Sequence, residues 1–307
     1  MAAISSIFLS ICSPGDRVVA ARQLYGGTFS LLAHLLPRFQ IETTFVDVAD
    51  HDAFARAAPG AKLIYCETIG NPRINVADLP AIAAIAEEHG IPLVVDSTFA
   101  SPVVCRPIEH GASIVVHSAT KFLGGHHDLL GGVVCSTPDR IAQIAEWTRE
   151  SGPTLAPFNA WLALRGLATI HLRVRRSCKS ALEVARFLET HDGIGEVFYP
   201  ALDSSPSKAL CDSLLGGLGG GTMSLDVKGG RERAARFQEA LRLIKPAASL
   251  GGTHSLIVHA ASVTHTQLSP EELESAGFTE GLCRLSVGLE DPQDLIADLD
   301  QALSATA

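Results

Sequence analysis

The sequence predicts an α/β fold: a mostly parallel sheet in a large domain, followed by a smaller α+β carboxyl-terminal domain. Three observations carry this expectation. Between residues 14 and 136, short β-rich apolar runs alternate with helical ones. Those runs are apolar at successive positions, as in strands covered on both faces, and such alternation implies parallel strands joined by helices. After Gly193 the pattern changes to isolated strands among glycine-rich and helical segments. A chain of 307 residues with 47% hydrophobic content is long enough to bury two cores. The expected division is a large unit at 1–172 and a small one at 173–307.

In chain order, the segment from Met1 to Cys12 is apolar but has no basic leader and runs into a Ser13-Pro-Gly turn, so it reads as a buried helix and not as a secretion signal. Strands are expected at 17–21, 41–47, 62–67, 92–96, 113–118 and 132–136, with helices at 28–36, 51–58 and 78–89. A long helical pattern then runs from 158 to about 191 and bridges the two units. Its basic residues Arg165, Arg173, Arg175, Arg176 and Lys179 are expected on a solvated face. Beyond it lie a β pattern at 196–199, the glycine-rich stretch 216–222, a strand at 223–227, and helix–strand alternation to the end.

Composition excludes several classes. A net charge of −9 leaves no basic stripe for a phosphate backbone, which argues against nucleic acid as a partner. No apolar run reaches the roughly 18–20 residues of a membrane span. Seven scattered cysteines, none spaced as a metal or redox pair, read as reduced, mostly buried thiols of a cytoplasmic protein. His126-His127-Asp128 and His254, His259 and His265 lack ligand spacing, so no metal is expected. No Gly-x-Gly-x-x-Gly follows a strand, which argues against a nicotinamide oxidoreductase.

Two strand ends carry chemistry. Lys121 lies where the run 113–118 meets a glycine-rich polar stretch, and Asp96 ends the run 92–96. In a parallel sheet both strands deliver their last residues to the same carboxyl edge, where such sheets bind ligands. An amine held at a desolvated site forms a Schiff base with an aldehyde, and a buried carboxylate holds a pyridinium nitrogen. Pyridoxal 5'-phosphate asks a protein for those two groups. Ser118 and Thr120 flank the lysine with short hydroxyls suited to the cofactor phosphate.

His117-Ser-Ala-Thr-Lys-Phe-Leu-Gly-Gly-His126, with Val94-Val-Asp-Ser-Thr98 before it and Arg284-Leu-Ser-Val-Gly-Leu-Glu290 after it, resembles the trans-sulfuration family of pyridoxal-phosphate enzymes of cysteine and methionine metabolism. The resemblance spans essentially the whole chain and implies fold type I of these enzymes. It also implies that Lys121 carries the cofactor and moves protons, that Tyr25 stacks on the cofactor ring and assists the leaving group, and that Asn71 meets the cofactor 3′-oxygen. Arg284 would grip the substrate α-carboxylate, with Ser249 near the substrate. Met1-Ala-Ala looks like the tail of a phosphate-capping segment, so the chain is expected to lack an amino-terminal portion and could be a non-catalytic homologue. The partner is expected to be a small amino acid. A homotetramer, a dimer of dimers, is expected, with a neighbouring subunit completing each site.

Two departures from the family's patterns bear on the reaction. Cystathionine-processing members often carry glutamate just before the Ser249-Leu-Gly-Gly252 stretch, where this chain has Ala248. Bacterial methionine γ-lyases often place cysteine after Tyr-Gly, where this chain has Gly27. The reading that remains is γ-elimination from methionine, homocysteine or a related amino acid. The alternatives are γ-replacement on O-acetyl- or O-succinylhomoserine (sulfhydrylase or cystathionine γ-synthase), and cystathionine γ-lyase activity.

Overall fold

The computed structural model describes residues 1–264 and 279–306. Six strands form the first sheet: β1 (Arg17–Ala21), β2 (Glu42–Val46), β3 (Ile64–Glu67), β4 (Leu93–Asp96), β5 (Ile114–Ser118) and β6 (Gly132–Ser136). Their order is β2-β1-β3-β4-β5-β6, parallel throughout except for β6, which runs against β5. All six lie within two residues of the predicted runs. Every residue of β3 and β4 is buried, because helices cover both faces and leave no solvated side for a polar residue to occupy.

From β1 the chain goes outward to β2, then returns to the other side of β1 to start β3. The loops after β1 and β3 therefore diverge and open a crevice at the carboxyl edge. Register brings Glu67 opposite Asp96, and Asp96 opposite Val116, so these strands end together.

Helices Ala2–Ile11, His51–Ala57 and Leu79–Glu88 match the expectations, the last two capped by Asp50 and Asp78. The first buries Ile4, Ile7 and Phe8. The predicted helix at 28–36 is a short α-helix, Gly26–Ser30, that widens into a π-turn at Leu31–Leu35. The long pattern at 158–191 is two helices, Pro157–Leu167 and Ile170–Glu189. Thr169 breaks it, with φ −118° and ψ 7°, and its N–H closes the first helix on Gly166 O at 3.2 Å. Arg165, Arg175, Arg176 and Lys179 are exposed as expected. Arg173 is not: it is 7% exposed, three residues on from buried Ile170 and four before buried Ser177. Reading the run by charge alone overlooked that it lies on the apolar stripe.

The second sheet comprises β7 (Ile194–Phe198), β8 (Thr222–Val227), β9 (Lys245–Pro246), β10 (Leu256–His259) and β11 (Leu282–Ser286), in the order β7-β8-β11-β10-β9. It is antiparallel except for β9 beside β10. Six cysteines are buried, whereas Cys135 is exposed because β6 is an edge strand that presents most of its residues to solvent. Among the described residues no group of His, Cys, Asp and Glu is placed to hold a metal, and no helix is long and apolar enough to cross a membrane. His265 lies outside the described residues.

Candidate active site

β5 delivers Ser118, whose backbone N–H donates to Thr98 Oγ1 at 2.8 Å, to the carboxyl edge. The chain then makes a wide turn at Ala119–Leu123, within which Lys121 leaves helical geometry (φ −95°, ψ −128°). Its Nζ donates to Ser249 Oγ at 2.8 Å. Burial, reinforced by the nearby Arg284 charge, lowers the Lys121 pKa to about 8. Ser249 comes from the loop before β10 and has a positive φ of 152°. That loop lies directly on the lysine turn: a Cβ on Gly251, itself at φ +74°, would come 2.7 Å from Phe122 N.

Two buried carboxylates sit side by side at the same edge. Asp96 is 8% exposed, its Oδ1 accepts the Thr98 N–H at 2.9 Å, and burial raises its pKa. Glu67 Oε1 accepts the Tyr25 N–H at 2.6 Å. Burial, and then the charge of Asp96, hold the Glu67 carboxyl well above the usual carboxylate range. Arg284 reaches the site from the middle of β11 and is 4% exposed. Its Nη1 donates to Asn71 Oδ1 at 3.3 Å and its Nη2 to Ser249 O at 3.4 Å. Its guanidinium carbon stands 5.8 Å from the Phe99 ring centre, and burial lowers its pKa to about 10.

Tyr25 follows β1 with its half-exposed ring folded over Gly27. A Cβ at Gly27 would lie 2.6 Å from Tyr25 Cε1 and 3.2 Å from Met1 Sδ, so Met1 borders the same crevice. The helix that follows Met1 starts beside β6, since a Cβ on Gly132 would meet Ala3 Cβ at 2.7 Å, and Gly132 pairs with Ser118. The backbone at Met1–Ala3 thus approaches the end of β5 that carries Ser118. Thr120 Oγ1 is engaged with its own loop, accepting from Gly131 N at 3.1 Å and donating to Gly131 O at 3.4 Å.

Lys121, Asp96, Tyr25, Ser118, Thr120, Asn71, Arg284, Ser249 and Met1 therefore all lie on the elements that frame this crevice. Glu67, Thr98, Phe99 and His117 belong with them and escaped the sequence reading. Glu67 carries the signal that revealed Asp96, a carboxylate closing an apolar strand. Buried His117 has an Nδ1 without a partner among the described residues, and burial lowers its pKa to about 4, so it is neutral at pH 7.

These groups fit pyridoxal phosphate. Asp96 is a carboxylate whose burial penalises its charge, so a pyridinium N–H⁺ would stabilise it. Lys121 is an amine whose pKa burial lowers to about 8, so that a reactive neutral fraction exists well below the ordinary lysine range. Arg284 keeps a buried Nε with no partner among the described residues, available to an anion. Fold and site together are those of a pyridoxal-phosphate enzyme, with Lys121 and Asp96 as the candidate cofactor groups at a parallel-sheet edge.

Comparison with known proteins gives the family. Residues 1–304 match the profile described as Cys/Met metabolism PLP-dependent enzyme, and the chain belongs to that family. It is 41% identical over 307 residues to an L-methionine gamma-lyase of Porphyromonas gingivalis, covering 99% of this chain and 77% of that one. It is 40% identical over 306 residues to an O-succinylhomoserine sulfhydrylase of Pseudomonas aeruginosa, covering 99% and 76%. Among solved structures it superposes on an O-acetylhomoserine (thiol)-lyase of Campylobacter jejuni that holds pyridoxyl-lysine phosphate, with a TM-score of 0.95, 35% identity, and coverage of 99% and 80%. Pyridoxal phosphate is the cofactor of this family, and the chain is an enzyme of cysteine and methionine metabolism.

Proposed function

We propose that the enzyme catalyses γ-elimination from methionine, homocysteine or a related sulfur amino acid, taking up water and giving 2-oxobutanoate, ammonia and a thiol. The observation that carries this reading is the Lys121 amine, lowered to about 8 and held 2.8 Å from Ser249 Oγ within reach of the Arg284 field. When bound, pyridoxal phosphate supplies an electron sink for charge at the substrate α-carbon. The chain's own residues then hold and move protons. Arg284 takes the α-carboxylate in its fork, which fixes the substrate's orientation. Lys121 Nζ, close to half-protonated near its pKa, gives and takes protons at the carbons beside the carboxylate. Tyr25 would lie against the cofactor ring, with its hydroxyl placed to give a proton to the departing sulfur. Asp96 would hold the pyridinium, Asn71 the ring's oxygen, and Ser118, Thr120 and the backbone from Met1 onward the phosphate.

In this reading residues 1–172 bind the cofactor and 173–307 close over the substrate. The division falls inside the helix Ile170–Glu189, which ties the two parts together. We place the protein in the cytoplasm, where its seven unpaired thiols stay reduced.

Ala248 is exposed and directly precedes Ser249, so this position offers no carboxylate to the distal ammonium of cystathionine. Methionine or homocysteine is therefore expected to react faster than cystathionine, and Ala248→Glu is expected to shift preference toward cystathionine. The test is kcat/KM for release of 2-oxobutanoate from each amino acid, with O-acylhomoserines plus a thiol source run in parallel. If cystathionine is the best substrate of the parent enzyme, other residues recognise its distal end. If only the acylhomoserines react, γ-replacement takes the place of elimination.

A further inference from the structure

Behind the lysine turn lies a buried cation that the chemistry above does not use. Arg173 Nη1 donates to Phe122 O at 2.9 Å, Nη2 to Gly166 O at 2.6 Å and Leu123 O at 3.4 Å, and Nε to Thr169 Oγ1 at 3.0 Å. All four acceptors are neutral oxygens. Among the described residues this buried guanidinium is paired only with neutral groups, which is costly to keep, and two of these carbonyls belong to the residues directly after Lys121. Two glycines shape the nest. At Gly125, with φ +73°, a Cβ would come 1.9 Å from Arg173 Nη1, and at Gly166 a Cβ would come 2.4 Å from Gly124 O. Both ends of the contact are thus built without side chains, so that the fork reaches the backbone.

We propose that Arg173 is a positioning residue for the cofactor lysine: its fork pins the Phe122 and Leu123 carbonyls and so fixes the backbone from which Lys121 points at Ser249. Three fixed donors at one plane define an orientation that the single ammonium of lysine does not reproduce. The contact lies behind the turn and leaves the crevice free, so Arg173 acts through Lys121 and touches neither substrate nor cofactor. The inference rests on Lys121 being the cofactor lysine.

The experiment compares Arg173→Lys, and Thr169→Val, which removes the Nε acceptor together with the hydroxyl's own bond to Gly166 O at 3.4 Å and leaves the three carbonyl contacts of the fork, with the parent enzyme. The readouts are backbone hydrogen exchange in cofactor-free protein, the pH midpoint of the bound cofactor's absorption, and kcat and KM for the best amino-acid substrate. Arg173→Lys is expected to speed exchange at 119–125 while leaving β1, β3 and β4 as in the parent. It should also move the absorption midpoint and lower kcat by about 10- to 100-fold, as small misplacements of a catalytic group do. KM should stay within about twofold, because substrate binding is not the lost interaction. Thr169→Val is expected to show the same changes in smaller measure, and it decides the matter if Arg173→Lys does not fold. Parent-like exchange and midpoint in both variants overturn the proposal. Exchange that rises evenly across the large sheet with an unmoved midpoint overturns it too, making Arg173 a general packing residue. Borohydride labelling is the separate control: a label on another lysine sinks the cofactor assignment, whereas the exchange result in cofactor-free protein tests the clamp itself.

Discussion

At the scale of single residues, Lys121→Ala is expected to abolish covalent capture of the cofactor and nearly all turnover, since the amine that forms the bond is gone. Mass spectrometry after borohydride reduction checks it by locating the label on the Lys121 peptide in the parent and on no peptide in the variant. Asp96→Asn is expected to keep the fold but lower kcat by at least about 100-fold, because a neutral amide no longer holds the pyridinium charge that makes the ring an electron sink; steady-state kinetics beside a circular dichroism spectrum decide it. The Lys121 pKa also sets a pH dependence. Burial favours the neutral amine, so the reactive fraction grows as pH rises through about 8 and falls below it. The rate at which cofactor-free enzyme takes up pyridoxal phosphate should follow that curve in stopped-flow absorbance, and a midpoint near the ordinary lysine value would show that the amine is not desolvated. Lys121 and Asp96 were legible because strand ends in a parallel sheet share an edge. Arg173 was not, since a charge on an apolar helix stripe reveals its partners only when the opposing turn is in place.

At the scale of elements, the six strands of the first sheet were legible because full burial makes them continuous apolar runs. The break between Pro157–Leu167 and Ile170–Glu189 was hidden, as no Pro marks it and the nearby Gly166 lies inside the first helix, where its close approach to Gly124 O shows only in the structure. Equally hidden was how the helix Pro292–Ala305 supports the site. Asp298, on that helix, accepts the N–H groups of Arg242 at 2.8 Å and of Leu243 and Ile244 at 2.9 Å. Those residues lead into β9 and the loop that carries Ser249. Asp298→Ala is expected to destabilise the protein by about 2 kcal/mol by stripping three backbone donors of their acceptor, with Asp298→Asn costing less. Burial alone would raise this carboxyl, but the three N–H donors outweigh it and hold its pKa below the ordinary value. The stabilisation is therefore fully present above the unfolded-state pKa and fades as pH falls through the lower folded value. Denaturant titrations should show parent and Asp298→Ala converging in acid and apart at pH 7; an unchanged gap at low pH would assign the effect to packing.

At the scale of the whole molecule, the large sheet and the fold class were legible, while the exposed apolar face of helix Pro157–Leu167 was not, because apolar residues on a helix read as core until the core is seen to be full. Helix Pro157–Leu167 exposes Phe158, Trp161, Leu164 and Leu167 at a spacing of three, with the Phe158 and Trp161 rings stacked at 5.8 Å. Leu130 is 75% exposed, and Asn159 Nδ2 donates to its carbonyl at 2.9 Å, joining this face to the loop that follows the lysine. Exposed apolar side chains grouped in this way make this face a candidate interface. We expect a second copy to cover it within a homotetramer, and because the patch adjoins the lysine loop, subunit contact and catalysis should fail together. Trp161→Glu places a charge in the middle of the patch, where burying it without a partner is costly. Sedimentation velocity should show the variant at lower mass than the parent. Its kcat should fall by about tenfold or more while circular dichroism stays native, and the parent's specific activity should decline on dilution in step with dissociation. A variant that keeps the parent's mass would show that this helix face is not the interface, and smaller species with full kcat would show that each chain carries a complete site.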